Sequence, residues 1–216
     1  MEQVTKRPRN RRGEGSKLRQ DILEAAARLL DQGGEGAVTL KDIARSVGIA
    51  SPSIYAHFPD REAILAAVVR QTFDELKAAG VSDLERAGPD PVAQLRAVCR
   101  AYLDFSECWP RRYRILFGGL WSDHSVQPHA TSRDDGSRIG QDVFDMLVAA
   151  VAACQRSGQA RGTDPFADAA SLWAALHGLA MLRLVAPLFP WPPELLDQMV
   201  TRLACLNITA GGVRLS

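Results

Sequence analysis

The sequence predicts an all-α protein, with a small N-terminal unit of three helices and a larger helical region behind it. Three observations carry this. Apolar residues recur at three- and four-residue spacing along most of the chain, and no stretch alternates in the manner of a strand. Residues 39–58, TLKDIARSVGIASPSIYAHF, read as two short helices broken by a glycine. Near the end, two strongly apolar segments, 165–186 and 193–210, each begin at a proline.

The first helix is expected over about residues 16–32, with Leu18, Ile22, Ala26 and Leu29 on one face and Gly33-Gly34 at its end. Thr39 followed by Asp42 marks the next start, because the hydroxyl can accept from an orphan backbone N–H and the acid suits the positive end of the dipole. Leu40, Ile43, Ala44 and Val47 form its apolar stripe, and Gly48 stops it where a left-handed backbone is cheapest. Ser51 is expected as the next N-cap, with Pro52 at the first helical position and Ile54 and Phe58 as anchors. Two short helices joined through a glycine form a helix-turn-helix, whose second helix is shaped to enter a DNA major groove. Ala44 is small where the two would cross.

Asp60 is expected to cap a long helix bearing Leu65, Val68, Val69, Phe73 and Leu76, closed near Gly80. Residues 88–91, Gly-Pro-Asp-Pro, make the next break and lead into a helix with Leu95, Val98, Tyr102 and Phe105. Trp109-Pro110 interrupts that run, and a short piece continues through Ile115 to Gly118-Gly119. Residues 122–138 are polar, with Pro128 and Gly136, and read as a mobile loop. Val143, Phe144, Leu147 and Val151 mark a further helix ended by Gly158, and the two apolar segments complete the set. The expected organisation is a basic arm (1–15), a helix-turn-helix domain (16–60) and a larger helical domain (61–216).

Composition is that of a globular chain, 46% hydrophobic and 24% charged over 216 residues. No apolar run is long enough to cross a bilayer, and no apolar segment follows the Arg-rich start as a signal peptide requires. A cytoplasmic location and no membrane partner are therefore expected. The net charge of +1 hides an uneven distribution. Residues 1–20 hold seven Lys or Arg against two Glu, and this arm reads either as a phosphate-tracking or minor-groove segment or as a solubilising tail. Cys99, Cys108, Cys154 and Cys205 lack CxxC spacing; Cys108, beside Trp109 and Arg111, Arg112 and Arg114, is the one that suits a thiol sensor. Asp123, His124, His129, Asp134 and Asp135 read as a solvated loop rather than a metal site. The GxSxG, HExxH, P-loop and dinucleotide fingerprints are absent, so no enzyme activity and no cofactor are expected.

Gly48-Ile49, Pro52-Ser53-Ile54-Tyr55, His57-Phe58 and Arg61 followed by Leu65 resemble the N-terminal signature of TetR-type transcriptional regulators, over roughly residues 17–70. Farther on, Trp173, His177 and Gly178 resemble the Trp-His-Gly segment of one branch of the family's C-terminal domains. Ser51, Pro52 and Ser53 lie at the start of the recognition helix, the end that reaches base edges. The resemblance adds Lys41 as a residue that reaches a guanine, and Tyr55, His57, Arg61 and Thr39 as phosphate contacts. Ala50 departs from the family, where this position is often polar.

The segment from Leu172 to Val185 is apolar nearly all round and needs covering on both sides. The resemblance implies that the last two helices pair with their two-fold mates, giving a homodimer matched to a palindromic double-stranded operator. It also implies a small-molecule effector pocket, for which Tyr102, Phe105, Trp109, Phe117, Trp121, Phe144, Trp173, His177 and Met181 are the candidate lining. The expected function is a ligand-responsive regulator, a repressor released by its effector. The alternatives are an activator or ligandless regulator, or a helical binding or catalytic protein that does not act on DNA.

Overall fold

The computed structural model describes residues 15–117 and 140–207. Among them are eight α-helices: α1 Gly15–Gly33, α2 Leu40–Val47, α3 Arg61–Arg86, α4 Pro91–Cys108, α5 Pro110–Phe117, α6 Gln141–Arg156, α7 Pro165–Val185 and α8 Leu195–Leu203. Two 3-10 helices, Glu35–Ala37 and Ser51–Ala56, lie on either side of α2. The expected loop at 122–138 and Trp121 lie outside the described residues, as does nearly all of the N-terminal arm. The only pairing of β type among the described residues is an isolated bridge between Ala160 and Leu206.

Helix starts follow the capping logic of the sequence. The Thr39 hydroxyl oxygen accepts from Asp42 N at 3.1 Å while its O–H donates to Asp42 Oδ2 at 2.6 Å. Asp60 Oδ1 accepts from Ala63 N at 2.7 Å and Asp90 Oδ2 from Ala93 N at 2.9 Å. Asp164 accepts from Phe166 N and Ala167 N, with Pro165 beginning α7. At the other end of α2, Gly48 takes φ 75° and ψ 35°. Gly48 N donates to Arg45 O and Ile49 N to Ala44 O, the paired reverse bonds of a Schellman stop.

Three expectations of the sequence are corrected. The element after Gly48 begins at Ser51 with Ala50 as its cap, not at Pro52 with Ser51 as cap, and no side chain caps it. It is wound as a 3-10 helix, because only a few residues separate Pro52, which has no N–H to give, from Pro59. Helix α3 passes through Gly80 to Arg86, since Gly80 is buried where Met146 of α6 comes close and its missing side chain admits that contact. Helix α8 is only Leu195–Leu203; Cys205 turns to φ 50° and the chain returns, with Arg161 N donating to Cys205 O and Asn207 N to Gln159 O.

The chain divides into two compact units. One unit holds residues 15–73 together with 109–117; the other holds 74–108 and 140–207. The boundary thus falls inside α3, and α5 belongs with the N-terminal helices because it packs on α1. In the first unit Ile22, Ala26 and Leu30 of α1 are buried with Ile43, Ala44, Ile54, Phe58, Ile64 and Leu65. Leu29, placed on that face by spacing, is only half-buried, and Leu30 takes the position. In the second unit α4 lies against α6, α7 and α8, and buries Leu95, Val98, Cys99, Tyr102, Leu103 and Phe105.

Thr39→Ala removes the cap of α2 and should lower stability by about 1 kcal/mol, read as a lower urea midpoint. Gly48→Ala places a Cβ in the left-handed region and should cost about 1–2 kcal/mol in the same measurement.

Candidate functional site

Two groups of side chains stand out, one in each unit. In the first, α2 and the 3-10 helix Ser51–Ala56 are held from beneath by the buried Ile43, Ala44, Ile54 and Phe58. Their opposite side is open. Lys41, Pro52 and Ser53 are exposed and Ser51 and His57 are half-buried. Tyr55 is 58% exposed, which rejects a packing role for its ring in this chain. Arg19 lies over the Phe58 ring at 4.7 Å from the centroid, which places a cation at the edge of the motif. The basic residues of the arm that could extend this charge lie outside the described residues.

Two of the expected phosphate contacts have structural duties as well. The Thr39 O–H is spent on Asp42, so donation to a phosphate requires the hydroxyl to turn away from the carboxylate. Arg61 donates from Nε to Val38 O at 2.7 Å and from Nη2 to Glu35 O at 2.8 Å. Its Nη1 lies 3.6 Å from Glu62 Oε1. The guanidinium thus ties the start of α3 to the connection between α1 and α2, a role that sequence reading missed.

In the second unit a row of rings runs along α6, α7 and α4. Phe166 meets Phe144 edge-on at 5.3 Å between centroids, Phe144 meets Trp173 at 5.9 Å, and Trp173 lies 6.3 Å from His177. The Tyr102 hydroxyl is 3.4 Å from His177 Nδ1. Tyr102 and Phe105 are buried on α4; Phe144, His177 and Met181 are half-buried and Trp173 is more open. Phe166 was missed, although it lies seven residues before Trp173 and so on the same helical face. Trp109 and Phe117 belong to the other unit: Trp109 is stacked by Arg112 at 4.4 Å, and Phe117 meets Tyr113 at 5.1 Å and Phe73 at 6.1 Å. A separate open depression of about 450 Å³ is lined by Asp74, Lys77, Ala78, Val81, Ser82 and Glu85 of α3, and none of the aromatic candidates lines it.

Burial holds the His177 pKa below its ordinary value, so the imidazole is neutral near pH 7 and offers one donor and one acceptor nitrogen. Burial also pushes the Cys99 thiol up to about 12 and Cys154 to about 11, which keeps both protonated and unreactive. Among the described residues no group of three His, Cys, Asp or Glu is placed to hold a metal ion, and no helix is long and apolar enough to cross a membrane.

Residues 22–68 match the description "Bacterial regulatory proteins, tetR family", and residues 95–205 match "Tetracyclin repressor-like, C-terminal domain". The chain belongs to the TetR family. The first match spans the helix-turn-helix and the second includes Trp173, His177 and Gly178.

Among curated relatives, the HTH-type transcriptional activator FasR of Mycolicibacterium smegmatis is 29% identical over 133 residues, covering 59% of this chain and 59% of that protein. The HTH-type transcriptional regulator BetI of Stenotrophomonas maltophilia is 31% identical over 110 residues, covering 51% of this chain and 56% of that one. These matches span less than two thirds of the relatives' own length. A solved structure from Rhodococcus sp. RHA1, described as a protein with unknown function, superposes with a TM-score of 0.72 at 26% identity, covering 90% of this chain and 95% of that one.

The depressed His177 pKa predicts a pH dependence of stability. Between the lowered folded value and the ordinary 6.5 the unfolded chain binds more protons, so stability falls as pH drops through that window. His177→Gln should flatten this part of the profile, measured as the urea midpoint from about pH 7 to about pH 5.

Proposed function

We propose that this chain is a homodimeric, ligand-responsive DNA-binding regulator of transcription, a repressor released from a palindromic operator by a small-molecule effector. The observation that carries the reading is the exposed 3-10 helix Ser51–Ala56, set by the left-handed stop at Gly48 and anchored by Ile54 and Phe58, with Tyr55 held out toward solvent. A segment anchored from one side and bare on the other fits a groove-reading element. Ser51, Pro52, Ser53 and Lys41 are assigned to base edges, and Tyr55, His57 and Arg61 to phosphates, with Thr39 beside them.

The effector is assigned to the second unit, around the neutral His177, the Tyr102 hydroxyl and the rings of Phe144, Phe166 and Trp173. Apolar walls with one or two hydrogen-bonding groups suit a largely apolar molecule bearing a polar end. An activator is the second reading, and it is favoured by the name of one similar protein, FasR, which is a transcriptional activator.

The dimer is assigned to α7 and α8. Leu172, Leu176, Leu179 and Ala180 are buried within the chain, whereas Leu182 is 49% and Val185 73% exposed on the same helix. An apolar surface of this kind on a helix end suits a two-fold partner.

Sites recovered by selection of random duplexes on the full chain, and mapping of bound sites in its own genome, test the reading; retention of all duplexes alike overturns it. Ser53→Ala should change the preferred sequence, with about 1–3 kcal/mol lost on the selected duplex. An equal loss on random duplex moves Ser53 to the phosphate contacts. Val185→Asp leaves the chain's own core untouched but should split the dimer, because the carboxylate would be buried unpaired at the two-fold interface. Sedimentation shows the split, and wild-type chain that sediments as a monomer while bound to its duplex overturns the dimer.

A further inference from the structure

Helix α1 ends with an arrangement that its own sequence does not favour. Asp31 lies in the last turn of α1, at the negative end of the helix dipole, and no basic residue of that turn offsets it. The compensation comes from 81 residues farther along the chain. Arg112 of α5 donates from Nε to both Asp31 carboxylate oxygens at 2.9 and 3.0 Å, and from Nη2 to Oδ2 at 2.6 Å. Side chains of this pair are only 12% and 22% exposed, so solvent screens it little. Arg111 donates from Nη1 to the Asp31 carbonyl at 2.7 Å, which satisfies one of the acceptors left open at a helix end. Trp109 stacks on the Arg112 guanidinium at 4.4 Å and restricts its rotation.

The segment that follows α1 runs through Gly34, at φ 75°, and the turn Glu35–Ala37 to Val38 and the Thr39 cap of α2. Arg61 holds the far side of this connection by the carbonyls of Glu35 and Val38. The connection is thus gripped at its start from α5 and at its end from α3. Both grips lie within the first unit.

We propose that Asp31 and Arg112 are positioning residues for DNA recognition: α5 supplies the C-terminal closure of α1, and through it sets where α2 and the recognition element enter. The inference rests on the DNA-binding reading above. Neither residue needs to touch DNA.

The test uses the full-length chain with Asp31→Asn, which keeps the shape of the side chain, and Arg112→Lys, which keeps the charge but loses the two-pronged grip. Probes are the duplex selected by wild-type chain and a random duplex of equal length. Each variant should bind the selected duplex about tenfold more weakly, at the lower end of typical coupling between sites, and the random duplex less than about threefold more weakly. The salt slope should not change, because no phosphate contact is lost. Amide exchange should quicken at residues 34–39 in both variants without DNA present.

Wild-type affinity in Asp31→Asn overturns the proposal, as does a loss shared equally by both duplexes with a shallower salt slope in Arg112→Lys, which makes that arginine a phosphate contact. If Arg112→Lys does not fold, Asp31→Asn decides. If wild-type chain selects no duplex, the DNA-binding reading fails by itself; unchanged exchange at residues 34–39 in Asp31→Asn then overturns the positioning role independently.

Discussion

The left-handed turn at Gly48 is the constraint on which the first unit depends. At φ 75° the backbone reverses after α2, and the next helix can start only three residues later. This short span brings Ile54 and Phe58 back under the same core as Ile43 and Ala44, beside the buried face of α1. With the apolar sides of both pieces turned inward, the polar sides are left together at the surface, and Tyr55 stands out from it. A side chain at Gly48 meets no neighbour, so the requirement for glycine is one of backbone conformation and not of space.

Before α2, arginines do the joining. Arg61 and Arg112 come from different helices and act on successive points of one connection, Arg61 on carbonyls and Arg112 on a carboxylate. The planar guanidinium suits both tasks, because it donates along two directions at once. The joining also accounts for Arg111 and Arg112 of α5, which follows α4 in the chain yet belongs to the first unit.

The second unit has a different logic. Its helices bury ordinary aliphatic residues, while the aromatic row from Phe166 to His177 is only partly covered. His177 there is neutral through loss of solvent, a state in which a histidine can give and receive a hydrogen bond without the cost of a buried charge. Helix α7 is apolar on almost every side, yet its last turns leave Leu182 and Val185 open, and Leu188 beyond them is 96% exposed. This exposed apolar helix end is the surface on which the proposed dimer rests.

Local chemistry made much of this legible beforehand. The caps at Thr39 and Asp60, the stop at Gly48 and the break at Trp109-Pro110 depend on residues within four positions of one another, so the sequence by itself determined them. The resemblance to the TetR family was readable from the same short stretch. Tertiary structure alone decided the rest. Gly80 reads as a helix end until Met146 is found packed where its side chain would be. The 3-10 winding of Ser51–Ala56 is not announced by its residues, because a proline at the first turn suits an α-helix equally well. Trp109 and Phe117 lie in the first unit with α5, whose Arg112 pairs with Asp31 of α1. Periodicity tells which face of a helix is buried; it is silent about which distant helix covers that face, and the pairing of Arg112 with Asp31 across 81 residues is therefore visible only when the chain is folded.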